Sequence, residues 1–257
     1  MVVTYEKKDK IAIITINRPE VMNALSIQVF REIYESTKDF LEDPQVFVGI
    51  LTGAGERAFS AGRDMKESLK ESLSGELQDP NRQQHKALRD LNIWKPLIAA
   101  INGYCLGGGM ELALECDIRI AAEQARFGMP EVTRGRIPRG GGSQKLIRIL
   151  PWCYAAEILF TGKHIDAQTA YRMGLVNEVV SKEQLMPRAM EWATQISQNA
   201  PLALKKLKEA MVRGRDMTMP QGLELEKKFF EDLSATEDFT EGSQSFVEQR
   251  KPIWRGK

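Results

Sequence analysis

Residues 96–132 read PLIAAINGYCLGGGMELALECDIRIAAEQARFGMPEV. PLIAAINGYCL is an apolar run, as expected for a strand buried on both faces. GGGMELALE predicts a glycine turn opening a helix, CDIRIAAE a further strand, and ARFGMPEV a short strand broken at Pro130. Three consecutive glycines, 107–109, cost backbone entropy, so a close backbone approach or a positive φ is expected there. A phosphate site is the usual reading of a glycine turn before a helix. The first charge in this helix is Glu111, however, which would repel a phosphate. A helix N-terminus with free N–H groups also suits an oxyanion.

Working outward, the N-terminal half alternates strand and helix. VVTYEKKDKIAIITINRP predicts two strands around a charged hairpin. SIQVFREIYESTKDFLED carries apolar residues at Val29, Ile33, Phe40 and Leu41, with Ser26 as N-cap. VFVGILTG is another buried strand, GAGERAFSAGRDMKE a loop, residues 67–85 a polar, mobile surface segment with some helix, and HKALRDLNIW a helix stopped by Lys95-Pro96. After about residue 145 helical periods follow one another, interrupted by the short strand LVNEVV. This pattern predicts an α/β core with a largely parallel sheet, then a helical C-terminal module.

The chain has 257 residues, 42% hydrophobic and 28% charged, which suits a globular protein with a sizeable core. A net charge of +1 argues against a nucleic-acid surface. Cys105, Cys116 and Cys153 have no paired spacing and are expected as reduced thiols. The N-terminus lacks a signal pattern and IAIITI is too short for a span, so a cytoplasmic protein without membrane contact is expected. His85 and His164 lack partners at metal-ligand spacing and are expected as surface or satisfied histidines, so no metal is predicted. Gly53, Gly55 and Ala58 formally match a dinucleotide fingerprint, but no helical period follows. TGKH at 161–164 lacks the upstream glycine of a P-loop.

A second carboxylate, Glu131, follows Pro130. A parallel sheet could return the chain so that Glu111 and Glu131 face one cleft, where like charges would raise one pKa. Spacing alone leaves both open to the plainer reading of surface glutamates.

The ordered segments TINRPEVMNALS, AFSAGRD, NGYCLGGGMELALECD, FGMPE, FTGKHIDAQTAYRMGLVNEVV and SFVEQRKPIWRGK resemble the crotonase superfamily, specifically the enoyl-CoA hydratases, over nearly the whole chain. The resemblance implies an α/β crotonase (ClpP-like) fold. Its repeated ββα units form a spiral core, placed here at residues 1–195, with a helical trimerisation module at 196–257. It implies reversible addition of water across the 2,3 double bond of a 2-enoyl-CoA. Glu111 and Glu131 would act as the carboxylate pair, and the backbone N–H groups of Arg63 and Gly108 as the oxyanion hole. An acyl-CoA thioester is the implied partner, with no separate cofactor, in a homotrimer or dimer of trimers. A place in fatty-acid β-oxidation is implied with it.

By the same mapping, Met22 and Ala24 line the pantetheine and nucleotide. Ala61, Asp64, Met65 and Lys66 flank the adenine, Leu106 lines the thioester region, and Phe230 and Phe246 approach CoA from a neighbouring subunit. For the apolar members, core packing is the alternative, and for Lys66 a solvated charge. Two positions depart from the hydratase pattern. Arg139 stands where glycine is common, and is expected either to meet Glu131 or an acyl carboxylate, or to point to solvent. Gln249 stands where lysine is frequent, which would weaken a CoA phosphate contact. The tail KPIWRGK looks more like the carnitinyl-CoA dehydratase branch. A dehydratase of a substituted acyl-CoA, an isomerase, a thioester hydrolase and a noncatalytic acyl-CoA- or RNA-binding protein are the rival readings.

Overall fold

A computed structural model describes residues 1–74 and 88–257. Strands β1 (Val3–Lys8) and β2 (Ile11–Ile16) form the antiparallel hairpin, with Asp9 at φ +52° in its turn. From β2 onward the large sheet is parallel: β3 (Val48–Gly53), β5 (Leu97–Ile101), β7 (Ile118–Ala122) and β10 (Glu178–Val180) follow in spatial order. A second sheet holds β4 (Ala58–Ser60), β6 (Tyr104–Leu106), β8 (Arg126–Gly128) and the antiparallel β9 (Ile165–Asp166).

The repeat is visible in this connectivity. β3 and β4 precede α2 (Met65–Leu73), β5 and β6 precede α3 (Gly108–Glu115), and β7 and β8 precede α4 (Gly142–Ile149). Each unit gives its first strand to the large sheet and its second to the small one. The run 96–106, expected as one strand, is therefore two. Asn102 makes the break, donating from Nδ2 to the Gly53 and Gly55 carbonyls at 2.8 and 2.7 Å. The expected loop at 53–67 contains β4 and the start of α2. The helix expected over HKALRDLNIW is reduced, among described residues, to a 3-10 turn at Leu88–Asp90. Beyond it Lys95 is drawn into the core, where its Nζ reaches the Phe40 and Asp43 carbonyls at 2.7 and 2.6 Å. These close α1 (Ile27–Glu42), and burial lowers the Lys95 pKa to about 8. His85 and most of the predicted mobile segment lie outside the described residues.

Strand alternation explains why both faces of the large sheet are covered. Leu51, Leu97, Ala99 and Ile101 point to the core shared with Val29, Ile33 and Phe40 of α1. Ile50, Ile98, Ala100 and Ile120 point the other way, onto Leu185, Ala189 and Ala193 of α7 (Leu185–Ser197). Ser26 caps α1 as expected, its Oγ accepting from Val29 N at 3.2 Å. Between α4 and α7 lie α5 (Trp152–Thr161) and α6 (Ala167–Arg172), and after α7 come α8 (Pro201–Gly214), α9 (Met219–Ser234) and α10 (Glu237–Val247). These last three leave large apolar side chains outside, including Leu207, Met211, Leu223, Phe230 and Phe246. No helix among the described residues is long and apolar enough to cross a membrane.

Candidate active site

The small sheet delivers two glycine-containing turns to one place. Gly62, at φ +90°, follows β4, and Gly107, at φ +50°, follows β6. A Cβ on Gly62 would stand 2.7 Å from the Leu106 carbonyl oxygen and 3.2 Å from the Gly108 nitrogen. One on Gly108 would lie 3.6 Å from the Arg63 nitrogen. The Gly62–Arg63 and Leu106–Gly108 backbones thus approach so closely only because side chains are missing. A parallel bridge joins Leu25 to Arg63, using the Leu25 amide on Gly62 O at 2.8 Å and the Asp64 amide on Leu25 O at 3.0 Å. In that geometry the Arg63 N–H points away from Leu25. Gly108 opens α3, so its N–H belongs to the first turn, which has no intrahelical acceptor.

The turn is braced from behind. Ser60 Oγ accepts from Gly62 N at 3.2 Å and donates to Asn23 O at 2.8 Å. Asn23, fully buried at φ +54°, donates from Nδ2 to the Ala54 and Ala58 carbonyls at 2.9 and 2.6 Å. At the other end of α3, buried Arg119 bonds the Cys116 and Ala113 carbonyls and, through Nε, Leu175 O at 2.6 Å. A cation on helix C-terminal carbonyls is favourable, and it fixes the helix that carries Glu111.

Glu111 and Glu131 each lie close against a glycine. Glu111 Oε1 accepts from the Gly140 and Gly142 amides at 2.5 and 3.0 Å, where α4 begins. A Cβ on Gly140 would lie 2.7 Å from Glu111 Oε2. Glu131 sits in the 3-10 turn Pro130–Arg134, and its Oε1 would be 2.9 Å from a Cβ on Gly107. Its Oε2 is buried and has no hydrogen-bond partner. Burial pushes the Glu131 pKa up, and the nearby Glu111 charge adds to this. Glu115 pairs with Lys145 at 2.5 Å and ties α3 to α4.

Known proteins share this arrangement of chain. The family model described as enoyl-CoA hydratase/isomerase matches residues 6–257. The chain belongs to the enoyl-CoA hydratase/isomerase family. It is 42% identical over 250 residues to a short-chain-enoyl-CoA hydratase of Clostridium acetobutylicum, covering 97% of this chain and 95% of that one. It is 40% identical over 258 residues to the (E)-benzylidenesuccinyl-CoA hydratase of Thauera aromatica, with both chains fully covered. The crystal structure of an enoyl-CoA hydratase from Bacillus anthracis superposes over the whole of both chains with a TM-score of 0.91 at 36% identity. The fold is the crotonase fold, and the protein is an enzyme, a hydro-lyase.

Within this family fold, the other expected residues separate into groups. Met22, at φ +55°, Ala24 and Ala61 lie on two segments laced together, with Ala61 N on Met22 O at 2.9 Å. Asp64 caps α2 through Lys66 N at 3.1 Å and pairs with Arg18 at 3.2 Å, so its charge is already engaged and its pKa is lowered. Arg18 also holds the Ala24 carbonyl at 2.8 Å. The sequence reading missed this brace, although Arg18 stands in the quoted segment TINRPEVMNALS. Met65 and Lys66 are exposed on the first turn of α2, and Leu106 is buried beside Gly62. Arg63 sends its guanidinium to Glu71 at 2.7 Å and over the Phe30 ring, leaving only its backbone toward Gly108.

Phe230 packs edge-on against Phe239, and Phe246 is 84% exposed. Among the described residues, no hydrogen bond or ring contact links α9 or α10 to the glutamates. Arg139 is exposed and engaged by an interaction within the chain. Gln249 is exposed at φ +53°. His164 stands edge-on to Tyr104, and burial with the Arg134 charge lowers its pKa. Among the described residues no cluster could hold a metal ion, and the three cysteines are free.

Proposed function

We propose that the protein is an enoyl-CoA hydratase whose Glu111 and Glu131 add one water across the 2,3 double bond of a 2-enoyl-CoA. The observation that carries this reading is the contrast between the two carboxylates. Glu111 receives two backbone N–H donors, hydrogen bonds that a carboxylate accepts. Glu131 has a buried oxygen with nothing to bond it, which favours the acid form. Two carboxyl groups in such different settings divide the work of base and acid.

The steps then follow. The thioester oxygen lies between the Arg63 and Gly108 amides. The Glu111 carboxylate takes a proton from water as the water oxygen bonds to C3. The C2–C3 π electrons move toward C1, placing an enolate charge on the thioester oxygen. Two preorganised amides stabilise that charge by about 3 kcal/mol each, helped by the α3 N-terminus. Glu131 then delivers its proton to C2, and proton exchange from Glu111 to Glu131 through solvent restores the starting state. The chain needs no separate cofactor in this scheme, since CoA enters with the substrate. The apolar face of α8–α10 suits a second and third copy of the chain, with Phe230 and Phe246 meeting a neighbour's CoA. A cytoplasmic location and a place in fatty-acid oxidation fit the same reading.

The direct test is loss of the enoyl-thioester ultraviolet absorbance when the protein is added to crotonyl-CoA. No change with this or longer 2-enoyl-CoAs would exclude the reading. A second expectation concerns Arg18. Arg18→Ala should raise KM for the CoA thioester about tenfold with little change in kcat, because it loosens the wall of Ala24 and Asp64 without touching either glutamate. Steady-state kinetics check it, and a fall confined to kcat would argue against a CoA-side role for that wall.

A further inference from the structure

Arg136 lies five residues beyond Glu131 and is tied to it, its amide donating to Glu131 O at 3.1 Å. Its side chain crosses in the other direction, where Nη1 donates to Ser68 Oγ at 2.7 Å. Ser68 is a buried residue of α2, the helix that opens directly after Arg63 and Asp64. Arg136 therefore links the wall that holds Glu131 to the wall that follows the Arg63 amide. An acyl chain with its thioester oxygen at Arg63 and Gly108, and C2 and C3 at the glutamates, has to leave between those walls. The guanidinium, on an exposed residue, bridges the two walls.

Its charge is unusual for the place. Among the described residues, the hydrogen-bond partner of Arg136 is a neutral hydroxyl and no carboxylate forms an ion pair with it. Arg63, by contrast, faces Glu71 at 2.7 Å. An arginine merely seeking solvent turns its head outward. Arg136 is itself exposed, yet its Nη1 is held to an oxygen of a residue only 5% exposed, which leaves most of its N–H donors for a ligand. We infer that Arg136 receives a carboxylate at the far end of the acyl chain, so the preferred substrate is a 2-enoyl-CoA bearing a second acid group. The planar guanidinium matches a carboxylate through two parallel hydrogen bonds.

The inference rests on the hydratase reading, and the test separates the two. Wild type, Arg136→Gln and Arg136→Lys are compared on trans-2-hexenoyl-CoA and on the same six-carbon chain carrying a carboxylate at C6. Wild type should favour the acid by about tenfold in kcat/KM, mainly through KM. Arg136→Gln should erase that ratio, and Arg136→Lys should keep part of it. Calorimetric binding of the two saturated counterparts, hexanoyl-CoA and adipyl-CoA, gives the same comparison without turnover. A misfolded variant would lose both ligands together, and Arg136→Lys would then decide. Equal kcat/KM values in wild type, or a ratio unchanged in Arg136→Gln, would overturn the assignment. If wild type hydrates neither compound, the hydratase reading falls, and the calorimetric ratio alone judges Arg136.

Discussion

Replacing Glu131 with glutamine should lower kcat for hydration by about 10²–10⁴-fold, the range for removing a general acid. The same change should leave the thermal midpoint unchanged or raise it. Glu131 Oε2 is buried without a partner, so the charged carboxylate is a cost to the folded state. Its pKa is raised on folding, chiefly by burial. A raised carboxylate contributes stability below its unfolded pKa and loses it as pH rises through the folded value. Glutamine carries no such charge, so the stability of Glu131→Gln relative to wild type should grow as pH rises above the ordinary glutamate range. Calorimetric melting at several pH values, beside steady-state kinetics, checks both halves. A variant that is inactive and also much less stable at neutral pH would mark Glu131 as structural.

Gly107→Ala should be the most damaging change that touches no ionisable group. Gly107 adopts φ +50° and ψ −120°, a region that costs a residue with a Cβ about 1–3 kcal/mol. The new Cβ would also stand 2.9 Å from Glu131 Oε1, so the carboxylate has to move. A displacement of about 1 Å at a reacting group costs on the order of 10²-fold in rate. The expected result is a loss of about 10²-fold or more in kcat, with a thermal midpoint lower by about 3–10 °C. Gly222→Ala is the control, because a Cβ there meets nothing within 4 Å. Comparable losses in both variants would contradict the special position of Gly107.

Much of this site can be seen in GGGMELALE, though its three glycines turn out to do different things. Gly107 supplies the positive φ, Gly108 faces Leu25 and the Arg63 amide, and Gly109 closes against Ser60 of β4. Glycine enrichment before a helix announces such demands without saying which residue meets which. Glu131 was visible as a carboxylate after Pro130, but its partnership with Glu111 came from family resemblance. Nothing in a linear pattern reports that Gly140 and Gly142, 29 and 31 residues beyond Glu111, hold its carboxylate. β4 was hidden because three residues are too few to show alternation. The split of 96–106 into two strands was hidden because both halves are apolar, and the turn is enforced by Asn102 on distant carbonyls. Arg136 showed no sequence signal of its own; its meaning lies in a bond to Ser68 across 68 positions.

The proposed chemistry can be read from the fate of one oxygen atom. A 2-enoyl-CoA is incubated with the protein in oxygen-18 water and the acyl-CoA product is examined by mass spectrometry. Addition of water by the Glu111–Glu131 pair predicts one heavy oxygen on C3, an intact thioester, and loss of that product in Glu111→Gln and Glu131→Gln alike. A shifted double bond without label, or label in a free carboxylic acid released from CoA, would contradict it.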